Sequence, residues 1–307
     1  MLNPQHLRTL IVVVRTGSFA AAARHLGYSG SAVSQQMSLL ERSVKMTLFE
    51  RDAKGIRPTP LAGFLAEQAR EPLAAFGALE EEVRSISAGT TGRVRLGSFP
   101  TASQHLLPGA LATFIKSYPK IDIELDEGEP ATLVPLLMDR ELDLALVYHY
   151  DLVPAAWPKA LKSTPLLSEE LTLLLPEGHP FEDTQIRLED LRSQVWVATG
   201  ESTSGARSLR RACASAGFEP NVNFRSDDYD VVRGFVRSGL GIALVPALGH
   251  VASDGISSAK VTDLTVQRHV VALYPPTSVN PALHVAVSAL LAAAAAAAAD
   301  IEGVQAR

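Results

Sequence analysis

Seven side chains near the start of this 307-residue chain have the types and spacing to grip a polyanion and to read along it. Ser31, Ser34, Gln35 and Ser38 recur at helical intervals, so they share one face of a helix. All four are short hydrogen-bonding groups. A helix face of this kind can reach base edges in the DNA major groove, where each base pair shows its own donor and acceptor pattern. Ser34 and Gln35 are expected at the base edges and Ser31 at a phosphate. Arg51, Lys54 and Arg57 surround a Lys54-Gly55 turn between two short extended pieces, Thr47–Glu50 and Gly55–Pro58. A β-wing of that form sets cations beside phosphates. Residues 1–58 hold eight Lys or Arg and three acids, a net of +5, while the whole chain is −5. A basic head on an acidic body points to one local polyanion-binding surface. Alone, those charges would describe only a solvated face; beside the polar helix they do not.

Two helices and a tight turn must position these groups. Ser18 can cap the first helix by accepting a free N–H. Phe19, Ala22, Ala23 and Leu26 form its apolar stripe, and Gly27 ends it in the left-handed conformation that glycine adopts without strain. Ser29 or Ser31 can cap the second helix, whose inward residues are Val33, Met37 and Leu40. Ala22 is small where two steeply crossing helices leave little room. This is a helix-turn-helix with the second helix as the recognition helix.

In order and spacing, Leu7, Phe19, Ala22, Ala23, Leu26, Ser29, Ala32, Val33, Ser34, Gln36, Leu40, Glu41, Leu48, Phe49, Arg51, Thr59 and Pro60 resemble the N-terminal domain of LysR-type transcriptional regulators. The resemblance covers nearly the whole chain. Gly30 and Gln35 stand where glutamine and arginine are common in that family, which implies an unusual base preference. Lys45 replaces a usual helix-ending glycine, and a left-handed Lys45 would cost about 1 kcal/mol. Pro58 stands where leucine is usual.

Residues 61–88 carry a heptad seam of Leu65, Ala69, Pro72, Phe76, Leu79, Val83 and Ile86, with Glu80–Glu82 and Arg84 outside it. A long helix with one apolar seam calls for a second chain; the alternative is packing on its own chain. In the resembled family this element is the linker and dimerisation helix. Pro72 predicts a bend or break near residues 68–72, and Thr90-Thr91-Gly92 a hinge.

From Arg93 onward strands and helices alternate: strands at Val94–Ser98, Ile121–Leu125, Leu142–Tyr148, Leu171–Leu175, Gln194–Ala198, Asn221–Arg225, Ile242–Val245 and Val266–Leu273, and helices at Ser103–Ser117, Ala131–Arg140, Thr203–Ala216, Asp228–Arg237 and Pro281–Ala299. Such alternation predicts sheets covered on both faces by helices. The expected architecture is a winged helix-turn-helix over 1–60, a linker helix over 61–90, and an α/β effector-binding domain over 91–307. The last would hold subdomain I at about 91–160 and 267–300 and subdomain II at about 161–266, with crossings near 149–165 and 265–270. It resembles the periplasmic solute-binding proteins, whose ligands lie between subdomains.

Open α/β sheets bind ligands where strands end and helices begin. Two such turns are rich in hydroxyls, Ser98–Ser103 and Thr199–Ser204, and both match pocket-lining positions of the resembled family. Thr101, Ser103, Ser202 and Thr203 are therefore the candidate effector ligands, with His149 beyond a strand end. Each hydroxyl taken singly could be only a helix cap. Glu201 would oppose a strongly anionic ligand or meet a ligand amine.

Enzyme motifs are lacking. Gly239-Leu240-Gly241 has no third glycine at dinucleotide spacing and precedes a strand. There is no His-Glu-x-x-His, no Gly-x-Ser-x-Gly, and the eight histidines are scattered. Arg207, Arg210 and Arg211 read as a helix surface. Cys213 is the only cysteine, which excludes an intrachain disulfide and fits a reducing cytoplasm. Leu290–Ala299 is too short to span a bilayer, and no signal peptide is indicated at the N-terminus. The expected function is an effector-modulated transcriptional regulator of the cytoplasm. It would bind double-stranded DNA and a small molecule as a homodimer or, by the resemblance, a homotetramer, without cofactor, metal or membrane. The alternative is a small-solute binding or sensing protein without DNA activity.

Overall fold

The structure, a computed structural model, describes residues 2–52, 55–88, 92–182, 184–250, 252–276 and 280–307. The chain divides near residue 90 into two compact units.

The first unit contains α1 (Pro4–Thr16), α2 (Phe19–Leu26), α3 (Gly30–Val44), β1 (Phe49–Asp52), β2 (Gly55–Pro58) and α4 (Pro60–Ala88). The expected caps form: Ser18 Oγ accepts from the Ala21 N–H, and Ser29, not Ser31, accepts from the Ala32 N–H. Gly27 ends α2 at φ 69°. Helix α1 went unpredicted, although its start is marked by the Asn3 cap and by Pro4 in the first turn, where a missing N–H costs nothing. It supplies Leu10, Ile11, Val12 and Val13 to a core shared with Ala22, Ala23, Val33, Met37 and Leu40.

Helix α4 runs unbroken through Pro72, contrary to the expected break. Pro72 lies on the exposed side, where water can take the carbonyl that a missing N–H leaves free. The helix has two apolar faces. Ala62, Ala66, Ala69 and Leu73 pack into the core of the first unit. Phe64, Phe76 and Leu79 are 63%, 49% and 55% exposed. The side chains of Val83 and Ile86, and the hinge residues Thr90 and Thr91, lie outside the described residues.

The second unit contains β3 (Gly92–Ser98), α5 (Pro100–His105), α6 (Leu107–Ser117), β4 (Ile121–Glu127), α7 (Pro130–Met138), β5 (Leu144–Tyr150), β6 (Lys162–Pro176), β7 (Val195–Ala198), α8 (Ser204–Ser215), β8 (Asn221–Arg225), α9 (Tyr229–Arg237), β9 (Ala243–Pro246), β10 (Ile256–Ala259), β11 (Gln267–Tyr274), α10 (Pro281–Asp300) and β12 (Val304–Ala306). The expected helix at 103–117 is two helices, because Pro108 starts a new one. Strand β6 is 15 residues long where only Leu171–Leu175 was expected. Its first part pairs with β11 and β12, its second with β9 and β10. One strand therefore belongs to both subdomains, where separate crossing segments were expected.

The sheet of subdomain I is covered on both sides. Leu144, Leu146, Tyr148 and Tyr150 of β5 enter one core, and Ala145 and Val147 the other. That is the period of two of an extended chain. By length and composition α10 could cross a membrane, with mean hydropathy 2.0 over Ala282–Asp300. Its Leu283, Val287, Leu290, Ala294 and Ala297 nevertheless lie in the core of subdomain I. Two glycines of the Gly239-Leu240-Gly241 run act structurally: Gly239 takes φ 70°, and a Cβ on Gly241 would stand 2.7 Å from the Val195 carbonyl oxygen.

Lys45 ends α3 at φ 57°, ψ 31°, the left-handed region that disfavours a side chain. Lys45→Gly should stabilise the first unit by about 1 kcal/mol. Hydrogen exchange of the α1 and α3 amides should then slow by about fivefold.

Candidate functional site

Helix α3 presents its polar face outward, with Ser31, Gln35 and Ser38 exposed and Ser34 half-buried. Val33, Met37 and Leu40 are buried beneath them. Ser31 Oγ lies 2.9 Å from Ser29 Oγ. Gln36 faces inward and shares a hydrogen bond with the buried Thr9 of α1, which fixes the rotation of α3. Glu41 accepts from the N–H groups of Leu48 and Phe49 at 2.7 and 3.2 Å. One carboxylate of the recognition helix thus ties down the start of the wing. The wing strands pair from Phe49 opposite Pro58 to Asp52 opposite Gly55. Arg57 is exposed on β2. Lys54 and the side chain of Arg51 lie outside the described residues.

The second unit holds a cleft lined by residues from four strand-to-helix turns and two strands. Phe99, Pro100 and Thr101 come from the β3–α5 turn and Glu129 from the β4–α7 turn. Thr199, Thr203 and Gly205 come from the β7–α8 turn, and Asp227 and Tyr229 from the β8–α9 turn. Tyr148 and Tyr150 of β5 and Arg268 of β11 complete it. This is where a doubly wound sheet leaves room for a ligand. A second cavity, between Val94, Leu96, Phe114, Ile123 and Leu290, is wholly apolar and offers no hydrogen bond.

Of the five expected effector residues, Thr101 and Thr203 line the cleft. Thr203 caps α8, accepting from the Ala206 N–H at 3.1 Å, and its Oγ1 lies 2.7 Å from Thr199 Oγ1. Thr101 is 1% exposed, and its Oγ1 accepts from Arg268 Nη2 at 2.7 Å. Ser103, Ser202 and His149 do not line the cleft. Ser103 lies two residues further along α5, and Ser202 faces solvent. His149 lies between Tyr148 and Tyr150, so strand alternation turns it to the other face. There its ring stands 6.2 Å from Trp157 and 4.9 Å from His269, and burial lowers its pKa. Glu201 pairs with Arg210 at 2.7 Å and does not line the cleft.

The group missed in the sequence is the charged floor. Arg268 Nε donates to Glu169 Oε1 at 2.6 Å, with the two side chains 2% and 0% exposed. Glu169 Oε2 accepts from the Leu248 N–H at 2.7 Å. Burial by itself would lower the Arg268 pKa, but the Glu169 charge and hydrogen bond together with Tyr150 and Tyr229 outweigh it, and the pKa is raised. The guanidinium also lies over the Phe99 and Tyr148 rings, at 5.0 and 5.1 Å. Tyr148 donates its hydroxyl proton to Glu129. Burial raises the Glu129 pKa and the charge of Asp227 raises it further, while the Tyr148 hydrogen bond and Arg268 pull the other way. The sequence signal was a charged residue flanked by an apolar run in each of two strands, Glu169 and Arg268, which stand opposite each other in register. Among the described residues no cluster of His, Cys, Asp or Glu is arranged to hold a metal.

Comparison with known proteins decides the family. Residues 4–62 match the model of the bacterial regulatory helix-turn-helix protein, lysR family, and residues 87–296 that of the LysR substrate binding domain. The chain belongs to the LysR family of transcriptional regulators. Among its relatives, the transcriptional dual regulator GltC of Bacillus subtilis is 29% identical over 218 residues, covering 70% of this chain and 71% of GltC. A probable hydrogen peroxide-inducible genes activator of Streptomyces viridosporus is 31% identical over 244 residues, 78% of this chain and 76% of that one. In fold, the chain is similar to full-length CbnR complexed with its target DNA, with TM-score 0.58 and 22% identity over 95% of this chain and 100% of CbnR. As a LysR regulator it pairs a helix-turn-helix with an effector-binding domain, and the charged floor belongs to the latter.

The floor can be tested by uncoupling it. Arg268→Met strands a buried carboxylate and should destabilise the second unit by about 3–5 kcal/mol. Adding Glu169→Gln, which keeps an acceptor for the Leu248 N–H, should recover roughly half of that loss. Urea unfolding followed by the fluorescence of the fully buried Trp196 reads both values.

Proposed function

We propose that this chain binds specific double-stranded DNA through the outward face of α3 and the wing. We further propose that a small molecule in the Thr101–Thr203 cleft changes that binding. The observation that carries the reading is the union, in one chain, of a helix-turn-helix matched over 4–62 with a substrate binding domain matched over 87–296. A solute-binding protein without DNA activity has no use for the former. The relatives are regulators, and we assign no enzymatic activity; the cytoplasm is the location we propose for a DNA-binding regulator. The domain bounds we propose are 1–60, 61–90 and 91–307. The exposed Phe76 and Leu79 face of α4 is proposed to pair two chains, with a second contact between effector domains making a tetramer.

The effector is not sensed by thiol oxidation, although one relative is named for hydrogen peroxide. Peroxide reacts with thiolates, and Cys213, the only cysteine, is buried with its pKa pushed up to about 12.

Fluorescence anisotropy of the full chain on the DNA flanking its own gene tests the reading. One segment should bind at least about 1,000-fold more tightly than scrambled DNA, and uniform affinity would refute it. Gln35→Ala should alter base preference, since a bidentate pair is worth about 1–3 kcal/mol. Arg57→Ala should weaken all sequences alike and reduce the slope of log affinity against log salt by about one. Phe76→Glu should shift sedimentation toward the monomer, and unchanged association would remove α4 from the interface.

A further inference from the structure

We propose that the effector carries a protonated nitrogen, an ammonium or guanidinium, held between Glu129 and Asp227. This rests on the cleft being the effector site. The two carboxylates come from opposite subdomains, Glu129 before α7 and Asp227 before α9, and both line the cleft. The one cation in the lining, Arg268, is already committed to Glu169 and Thr101. With Glu169 offsetting Arg268, Glu129 and Asp227 leave the cleft with two uncompensated negative charges. An organic anion would enter against them; a cation would relieve them.

Tyr229 gives an independent sign of a ligand. It is about nine-tenths buried and lines the cleft, and its hydroxyl has no hydrogen-bond partner among the described residues. The hydroxyl itself is not sealed from solvent, and the cleft is the side from which a ligand can meet it. The rings of Phe99, Tyr148, Tyr150 and Tyr229 line the same space, two of them already under the Arg268 guanidinium. Both acids can be neutralised without loss of their structural bonds. Asp227 Oδ1 accepts from the Gly200 N–H at 2.7 Å, which asparagine can replace. Glu129 accepts from the Tyr148 hydroxyl, which glutamine can replace.

A ligand cation also couples to pH. Glu129 is faced by Tyr148 of β5, Asp227 of the β8–α9 turn and Arg268 of β11, and its pKa lies above the ordinary carboxylate value. Affinity for a cation should fall as pH is lowered through that raised value, because protonation removes the charge the ligand pairs with.

The test is the thermal melting of the full chain with methylammonium or n-butylammonium chloride, against sodium chloride at equal ionic strength. The same is done with sodium acetate and sodium benzoate. The organic cations should raise the melting temperature of the parent, and Glu129→Gln and Asp227→Asn should each weaken that response about tenfold in concentration. An equal response in parent and both variants overturns the proposal. If acetate or benzoate stabilises the parent and Thr203→Ala removes the effect, the ligand class is wrong while the cleft remains the effector site. If no probe moves the parent, the proposal and the cleft assignment fall together, with DNA binding judged separately by anisotropy.

Discussion

The effector-binding domain turns on one buried ion pair. Glu169 sits where β6 exchanges one set of partners for another, opposite Arg268 on one side and next to the stretch that pairs with β9. Its two oxygens reach in different directions, one to Arg268 and one to the Leu248 N–H beyond β9. Arg268 carries the link on to Thr101 in α5. Four pieces of chain from both subdomains are thus joined through a single ion pair. In a medium of low effective dielectric, neither charge could be removed alone without stranding its partner. The pair adds little to stability compared with an apolar replacement, but it fixes which groups meet at the cleft floor.

The sequence was most legible where local rules dominate. Ser18, Gly27 and the stripe of Ala22, Ala23, Val33, Met37 and Leu40 define the helix-turn-helix by capping and periodicity, which depend on neighbours a few residues away. The hydroxyl turns at Thr101 and Thr203 were legible for the same reason. Arg268 and Glu169 were not, because 99 residues separate them and only the β6–β11 register brings them together. Glu129 and Asp227 could have been found by applying the strand-end rule to all four turns, not only to the two rich in hydroxyls. His149 was misplaced by one residue of strand phase, and one residue in a strand is the whole difference between two faces.

The length of β6 was missed because its first half does not read as a strand. Lys162-Ser163-Thr164-Pro165 is polar and contains a proline, which is disfavoured inside a sheet. The structure accommodates Pro165 beside a register shift, where Val270 faces Leu167 and Val271 faces Pro165. A bulge excuses the missing donor. The tertiary ladder overrides local propensity there, as it does at Pro72 in α4, where the cost is passed to solvent.

This continuous strand constrains how the domain can respond to a ligand. Two flexible crossings would allow a wide hinge, but β6 is hydrogen-bonded through the crossing and pinned in its middle by Glu169. Large rotation would break ladder bonds or bare a buried charge. Outside that ladder lie the β4–α7 and β8–α9 turns. Those are the turns that carry Glu129 and Asp227. Repulsion between like charges favours their separation, and a charge of opposite sign between them favours approach. A ligand acting there works against the electrostatics of two side chains and leaves the ion pair beneath intact.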